Sequence, residues 1–327
     1  QTLVRDFPHF QLAQLVYGDL LLAQTRQLRR WGDVPDDLAG HAAENLQDLR
    51  REAELRLAGL KHRPVAGTIP AQFLSLSPAN RHAIAVDVSR ARLYLFENTG
   101  GNVRLVADYY ISVGKAGVGK IAEGDKRTPL GVYFVTSNLD RRRLADLYGS
   151  GALPINYPNA YDVRKGRAGG GIWLHGTPAA QYARAPRATD GCVAVANPDL
   201  EHILRTVQIR TTPVLIAHEI TWVGAHSLAA DKAFMETRLH AWAGAKSAGD
   251  EEALAKFYAA DFHADGRTLA AHTAQLRTDM ASLRGRRLVL KDASILAWSE
   301  SAEVRVVTFA EVPAGARSGK QMRQYWE

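Results

Sequence analysis

Across 327 residues there is a single cysteine, Cys192. One thiol excludes an internal disulfide and any metal site built from several thiolates. The eleven histidines form neither H-E-x-x-H nor H-x-H, so no metal and no other cofactor is expected. No apolar run approaches the ~20 residues a membrane-spanning helix needs, and no membrane span is expected. A serine hydrolase is disfavoured because no G-x-S-x-G elbow occurs. Zinc-finger spacing and aromatic RNA-binding signatures are missing too, and the basic residues are dispersed apart from Arg141, Arg142 and Arg143. Nucleic acid is therefore not expected as a partner. Residues 114–121, "GKAGVGKI", come close to a phosphate-binding loop. They end on Ile121 instead of a hydroxyl residue and run into "AEGDKRTPLG", which opens no helix. The stretch reads as a flexible glycine-rich loop between strands.

What is present is an ordinary globular composition, 46% hydrophobic and 23% charged, with a net charge of +7. That charge suits an anionic partner such as a cell-wall polymer. The chain opens on Gln1, as expected of a protein whose leader has been removed. Its length allows more than one domain, and the hydrophobic period changes twice. Residues 8–60 have helical period, first in "FQLAQLVYGDLLLAQTRQLRRW", then in a second helix opened by Pro35 and two aspartates. Such an amphipathic pair must cover a surface, either the next domain or a second copy of the chain. The second choice would make a homodimer. The run "KHRPVAGTIP" reads as a linker. From residue 80 to 222 the pattern is short alternating strands: a meander through residues 82–114, then "GVYFVTS", "GGIWLHG", "CVAVAN" and "TPVLIAHE". Asn197 followed by Pro198 reads as a helix N-cap with proline at the first helical position. Residues 226–327 return to helices and end in antiparallel strands. The expected fold is multidomain α+β: an N-terminal helical pair (1–65), a mostly β domain (80–222) and an α+β tail (226–327).

The informative stretch is 170–197, "GGIWLHGTPAAQYARAPRATDGCVAVAN". His175 ends one strand-like run and Cys192 opens another. Two adjacent strands ending at one sheet edge would bring imidazole and thiol together, and a neighbouring imidazole is what turns a thiol into a nucleophile. Gly191 permits a tight turn that leaves the N–H groups of Gly191 and Cys192 open to a substrate oxyanion. The Gly176 carbonyl can fix the imidazole tautomer, as a third catalytic residue does elsewhere.

These residues resemble the signature of the YkuD-domain L,D-transpeptidase family: His175-Gly176, a spacer, Thr189, Gly191-Cys192 and a downstream Asn197. The upstream "EGDKRTPLGVY" resembles that family's second element through Gly124, Asp125, Thr128, Pro129 and Gly131. There are departures: Ala194 stands where many members carry arginine, and Asp190 where many carry histidine. The order of units is similar to the cell-shape L,D-carboxypeptidase type, and the tail resembles a SnoaL-like cone of the nuclear-transport-factor class, shortened by a strand or more.

The resemblance implies peptidoglycan chemistry in the periplasm, at the diaminopimelate–D-alanine bond of tetrapeptide stems. Cys192 as thiolate would attack, His175 would shuttle the proton, and Gly191 and Cys192 would hold the oxyanion. Lys126 and Arg127, beside Thr128, are candidates for the substrate's carboxylates, with Arg187 a third. Tyr157, Tyr161, Trp173 and Thr189 are candidates for lining the groove. Water as acceptor makes a carboxypeptidase, which Ala194 favours; a second stem's amine makes a cross-linking transpeptidase. The reading from a different class is a non-catalytic cell-wall scaffold that works through the tail.

Overall fold

The computed structural model describes residues 1–34, 43–264, 266–283, 285–301 and 303–327. Its strands are β1 (Thr68–Pro70), β2 (His82–Asp87), β3 (Arg92–Thr99), β4 (Asn102–Gly114), β5 (Gly131–Phe134), β6 (Ala152–Pro154), β7 (Trp173–His175), β8 (Arg187–Thr189), β9 (Val193–Val195), β10 (Pro213–Ala217), β11 (Trp222–Gly224), β12 (His263–Ala264), β13 (Arg267–Thr268), β14 (Leu288–Ala297), β15 (Arg305–Pro313) and β16 (Lys320–Trp326). The central unit is one nine-stranded sheet in the order β5-β10-β2-β3-β4-β9-β7-β6, with β8 paired to β4 off that path.

The meander follows from the sequence alternation. Tight turns between its strands make β2, β3 and β4 antiparallel neighbours, with Ile84 opposite Leu95 and Leu93 opposite Tyr109. Strand β10 then joins β2 in parallel. Residues 83–86 and all of β10 are buried, because both sheet faces are covered. The long β4 changes character midway. Its first half is largely wet, whereas residues 109–114 are buried where β8 and β9 attach. That attachment carries the cysteine strand onto the sheet.

The N-terminal helices lie on this unit. Leu55, from the helix Ala43–Lys61, sits in the sheet's own core. Arg56 stacks 4.1 Å over the Tyr110 ring and 5.2 Å from that of Phe10. Of the two surfaces the sequence left open, the helices cover the next domain of their own chain. The first helix runs only from Gln11 to Leu22, short of the expected length. Its buried Asp19 accepts from Gly32 N–H (2.7 Å) and Asp33 N–H (3.0 Å), and so folds the following segment back. The expected opening of the second helix at Pro35 lies outside the described residues. The expected linker also ends in structure, because β1 pairs with β11.

In the tail, helices Ala229–Ala248, Glu251–Ala255 and Leu269–Leu283 accompany the three-stranded sheet β14-β15-β16. Asp250 caps the second helix through Ala253 N–H, 2.9 Å. The tail docks firmly on the central unit. Ser75 and Ile295 exchange backbone hydrogen bonds of 2.9 and 2.8 Å. Trp298 is buried against Tyr133 and Tyr161, in space that exists because residue 131 has no side chain to fill it. Between tail and central unit lies a cavity of about 550 Å³, lined in part by Tyr161, Trp242, Lys246, His272, Arg323 and Tyr325.

Candidate active site

Three short strands and the loops between them build the site. Strands β7 and β9 run parallel, with Leu174 opposite Val193 and His175 opposite Ala194. Continuing the register one residue back sets Trp173 level with Cys192. Side chains two residues apart share a sheet face, so His175 and Cys192 lie on one face, at opposite ends of these short parallel strands and two residues apart in register, not at the single sheet edge the sequence suggested.

His175 is buried, and its Nδ1 lies 2.6 Å from the Gly176 carbonyl. A carbonyl only accepts, so Nδ1 carries the proton and Nε2 is left as the base. Burial, more than any neighbouring charge, pulls the imidazole down to about 4. It is therefore neutral, and able to take a proton, throughout the neutral range.

Cys192 is half-buried. Its Sγ accepts from Trp173 N–H at 3.4 Å and donates to the Gly171 carbonyl at 3.3 Å. Among the described residues no hydrogen bond joins it to the imidazole, so the resting thiol must turn to reach His175. Burial pushes the thiol up, and the Trp173 N–H opposes this. Both groups are thus biased toward their uncharged forms, which is compatible with the expected sequence in which His175 takes the thiol proton as Cys192 attacks.

The expected oxyanion pair also changes. Gly191 N–H donates to the Thr189 hydroxyl (3.1 Å), which in turn donates to the Cys192 carbonyl (2.7 Å). The Gly191 donor is used inside the turn. Gly191 itself has φ +127° and lies over the Arg127 carbonyl, leaving no room for a Cβ.

Of the proposed groove residues, three belong to the scaffold. Thr128 is buried and accepts from Gly114 N–H, 2.9 Å. Thr189 is buried in the turn just described. Tyr157 is buried in the core, its hydroxyl donating to the Ala168 carbonyl at 3.1 Å. Tyr161 faces Trp298 and the tail cavity. Lys126, Arg127 and Arg187 are exposed, and Arg127 Nη1 is spent on the Val118 carbonyl, 2.9 Å. Trp173 is half-buried and packs on Tyr148, with 4.7 Å between rings.

Tyr148 escaped the sequence reading, and so did the roles of Asn197 and Asp125. Tyr148 sets its ring 5.2 Å from that of His175, edge to face. Asn197 is no N-cap. Its Oδ1 accepts from Ser150 N–H (2.9 Å) and Thr177 N–H (3.1 Å), and its Nδ2 donates to the Thr177 carbonyl (2.8 Å). It thereby clamps the loop that follows His175 to the loop carrying Tyr148. A Cβ at Gly149 or Gly176 would collide with its amide. Asp125 ties the glycine-rich loop down through Ile121 N–H, Ala122 N–H and buried Lys120, the last at 2.7 Å. The loop is therefore anchored, not flexible. The fixed Gly-Asp and Asn positions were the available signal, but nothing in sequence names their partners.

The geometry agrees with what the chain is similar to. Residues 81–216 match the YkuD family, the L,D-transpeptidase catalytic domain, and the chain carries that domain. Among solved structures, Bd1075 of Bdellovibrio bacteriovorus is 22% identical with a TM-score of 0.64, over 79% of this chain and 98% of that one. The helical cell shape determining protein Pgp2 of Campylobacter jejuni is 20% identical with a TM-score of 0.59, over 85% and 93%. At such identities the likeness is one of fold. No curated protein matches in sequence. Among the described residues no helix is long and apolar enough to cross a membrane, and no cluster of three potential metal ligands occurs.

Proposed function

We propose that the protein is a periplasmic cysteine enzyme acting on peptidoglycan, an L,D-carboxypeptidase that trims tetrapeptide stems to tripeptides. The observation that carries this reading is the neutral His175, its tautomer set by Gly176, on the same sheet face as the lone thiol and two residues from it in the register of adjacent strands.

Cys192 Sγ forms a bond to the diaminopimelate carbonyl carbon while its proton passes to His175 Nε2. The oxyanion collapses, the C–N bond to D-alanine breaks, and His175 returns the proton to the leaving amine. Water then adds to the thioester, giving its proton to His175. The C–S bond breaks, and the sulfur is reprotonated. The Cys192 N–H is the remaining oxyanion donor from the turn. One such donor is worth about 3–4 kcal/mol where measured.

Hydrolysis is favoured over cross-linking by Ala194, a small residue where a cation would otherwise serve the acceptor. The tail is assigned as a SnoaL-like cone on the strength of its helices, curved sheet and cavity. The outer faces of the N-terminal helices, with exposed Leu20, Leu21, Leu57 and Leu60, are where a homodimer would form.

The test is incubation of the purified protein with defined muropeptides and analysis of products by mass. Tetrapeptide should become tripeptide plus free D-alanine, with no chelator effect, and Cys192→Ala should stop it. Dimeric muropeptides as the sole product would overturn the carboxypeptidase assignment, and an unchanged substrate would overturn the enzyme.

A further inference from the structure

The candidate site lacks an obvious cation. Lys126, Arg127 and Arg187 point to solvent or to backbone, and position 194 is alanine. Yet one arginine from the spacer between His175 and Cys192 is tied to these strands. Across the sheet, His175 pairs with Ala194, Ala194 with Ser112, and the Ser112 hydroxyl accepts from Ala188 N–H at 3.2 Å. Arg184 Nη2 donates to the carbonyl of that same Ala188, 2.6 Å away. The guanidinium is thus moored at the strand that leads into Cys192. It is half-buried, and among the described residues no carboxylate lies within ion-pair distance of it.

Its loop is held from outside. The Tyr110 hydroxyl donates to the Arg184 carbonyl, 3.0 Å. Next to it, Tyr182 stacks on Phe10 at 4.4 Å and meets Phe7 edge-on at 4.8 Å. Both phenylalanines come from the N-terminal helical region.

We propose that Arg184 is a positioning residue for the nucleophile: a moored cation whose field favours the Cys192 thiolate as it forms, with the N-terminal helices bracing the loop that carries it. This rests on Cys192 being the nucleophile and adds the group that makes its ionisation accessible. The other charges facing the sulfur leave the role to Arg184. Lys120 acts in the same direction but is neutralised by Asp125 at 2.7 Å. Asp190 acts against the thiolate and is held outward by Lys115 at 3.3 Å. His175 is neutral. Arg184 also disfavours a charged imidazole, keeping the base free.

The test is the pH dependence of Cys192 alkylation by iodoacetamide, read by intact mass, in the full chain. Arg184→Gln should move the profile up by about half to one pH unit, slowing alkylation near neutrality about threefold to tenfold. Arg184→Lys should stay near wild type. Melting curves of both variants establish that they are folded. A profile for Arg184→Gln that superimposes on wild type overturns the proposal, as does Arg184→Lys falling equally far, since charge would then not be the agent. Alkylation needs no peptidoglycan. Failure to cleave tetrapeptide would therefore sink the proposed function alone, and an unmoved profile would sink the arginine's role alone.

Discussion

The strand end at Cys192 and the cavity under the tail are built by opposite means. At Cys192 the polar side chains are few, and backbone groups hold them: the Gly176 carbonyl on the imidazole, Trp173 N–H on the sulfur, Asn197 on two loops. In the tail, charges meet charges. Lys246 is buried with Glu311 at 2.8 Å and lies over the Trp242 ring at 5.1 Å. Backbone partners fix position and leave the reactive atoms uncharged. A buried ion pair neutralises itself and reacts with nothing. The first arrangement suits covalent chemistry, the second a container.

Breaking that contrast at its strongest point means removing the sulfur. Cys192→Ala should abolish tripeptide formation, a loss of at least about a thousandfold on the scale of removing a nucleophile, with little change in melting temperature. In the tail the reverse is expected. Lys246→Met strands Glu311 and should cost about 3–5 kcal/mol in urea unfolding, whereas Lys246→Met with Glu311→Leu should recover most of it. Its effect on turnover per folded molecule should be small.

Next in size is the pH response of His175. Its imidazole titrates near 4 in the fold against 6.5 as the ordinary value, so the folded chain binds fewer protons between those values. The stability present above pH 6.5 is lost as pH falls through about 4, by roughly 3 kcal/mol. His175→Gln should flatten that part of the curve. Asn197→Ala leaves two N–H groups and a carbonyl without their partner and should cost about 1–3 kcal/mol. It should also lower kcat more than it raises KM, because the Tyr148 loop loosens. Smallest of all, Phe10→Ala should shift the Cys192 alkylation profile part of the way that Arg184→Gln does, through Tyr182. An unmoved profile would separate the helices from the site.

Much of the sheet was legible because period-two alternation is local, and the thiol and imidazole were legible because their glycines are chemically obligatory. The premature end of the first helix was not, since it depends on Asp19 meeting residues 32 and 33. Nor was the burial of Thr128, Tyr157 and Thr189. In sequence, a threonine in a turn-rich stretch looks equally suited to a substrate or a turn. Arg184 was hidden for the same reason, because its partner Ala188 matters only through Ser112 on another strand.

By itself the sequence determined the chemistry available: one thiol, an imidazole ahead of it, and the glycines that let backbone approach them, all set by residue type and near-neighbour spacing. Only the tertiary structure decided the protonation states, the engaged Gly191 donor, the moored arginine and the cavity. Burial and hydrogen-bond partnership are properties of what packs around a group, and many of those neighbours lie on other segments, as Trp173 does for Cys192, Ser112 for Ala188 and Tyr161 for Trp298.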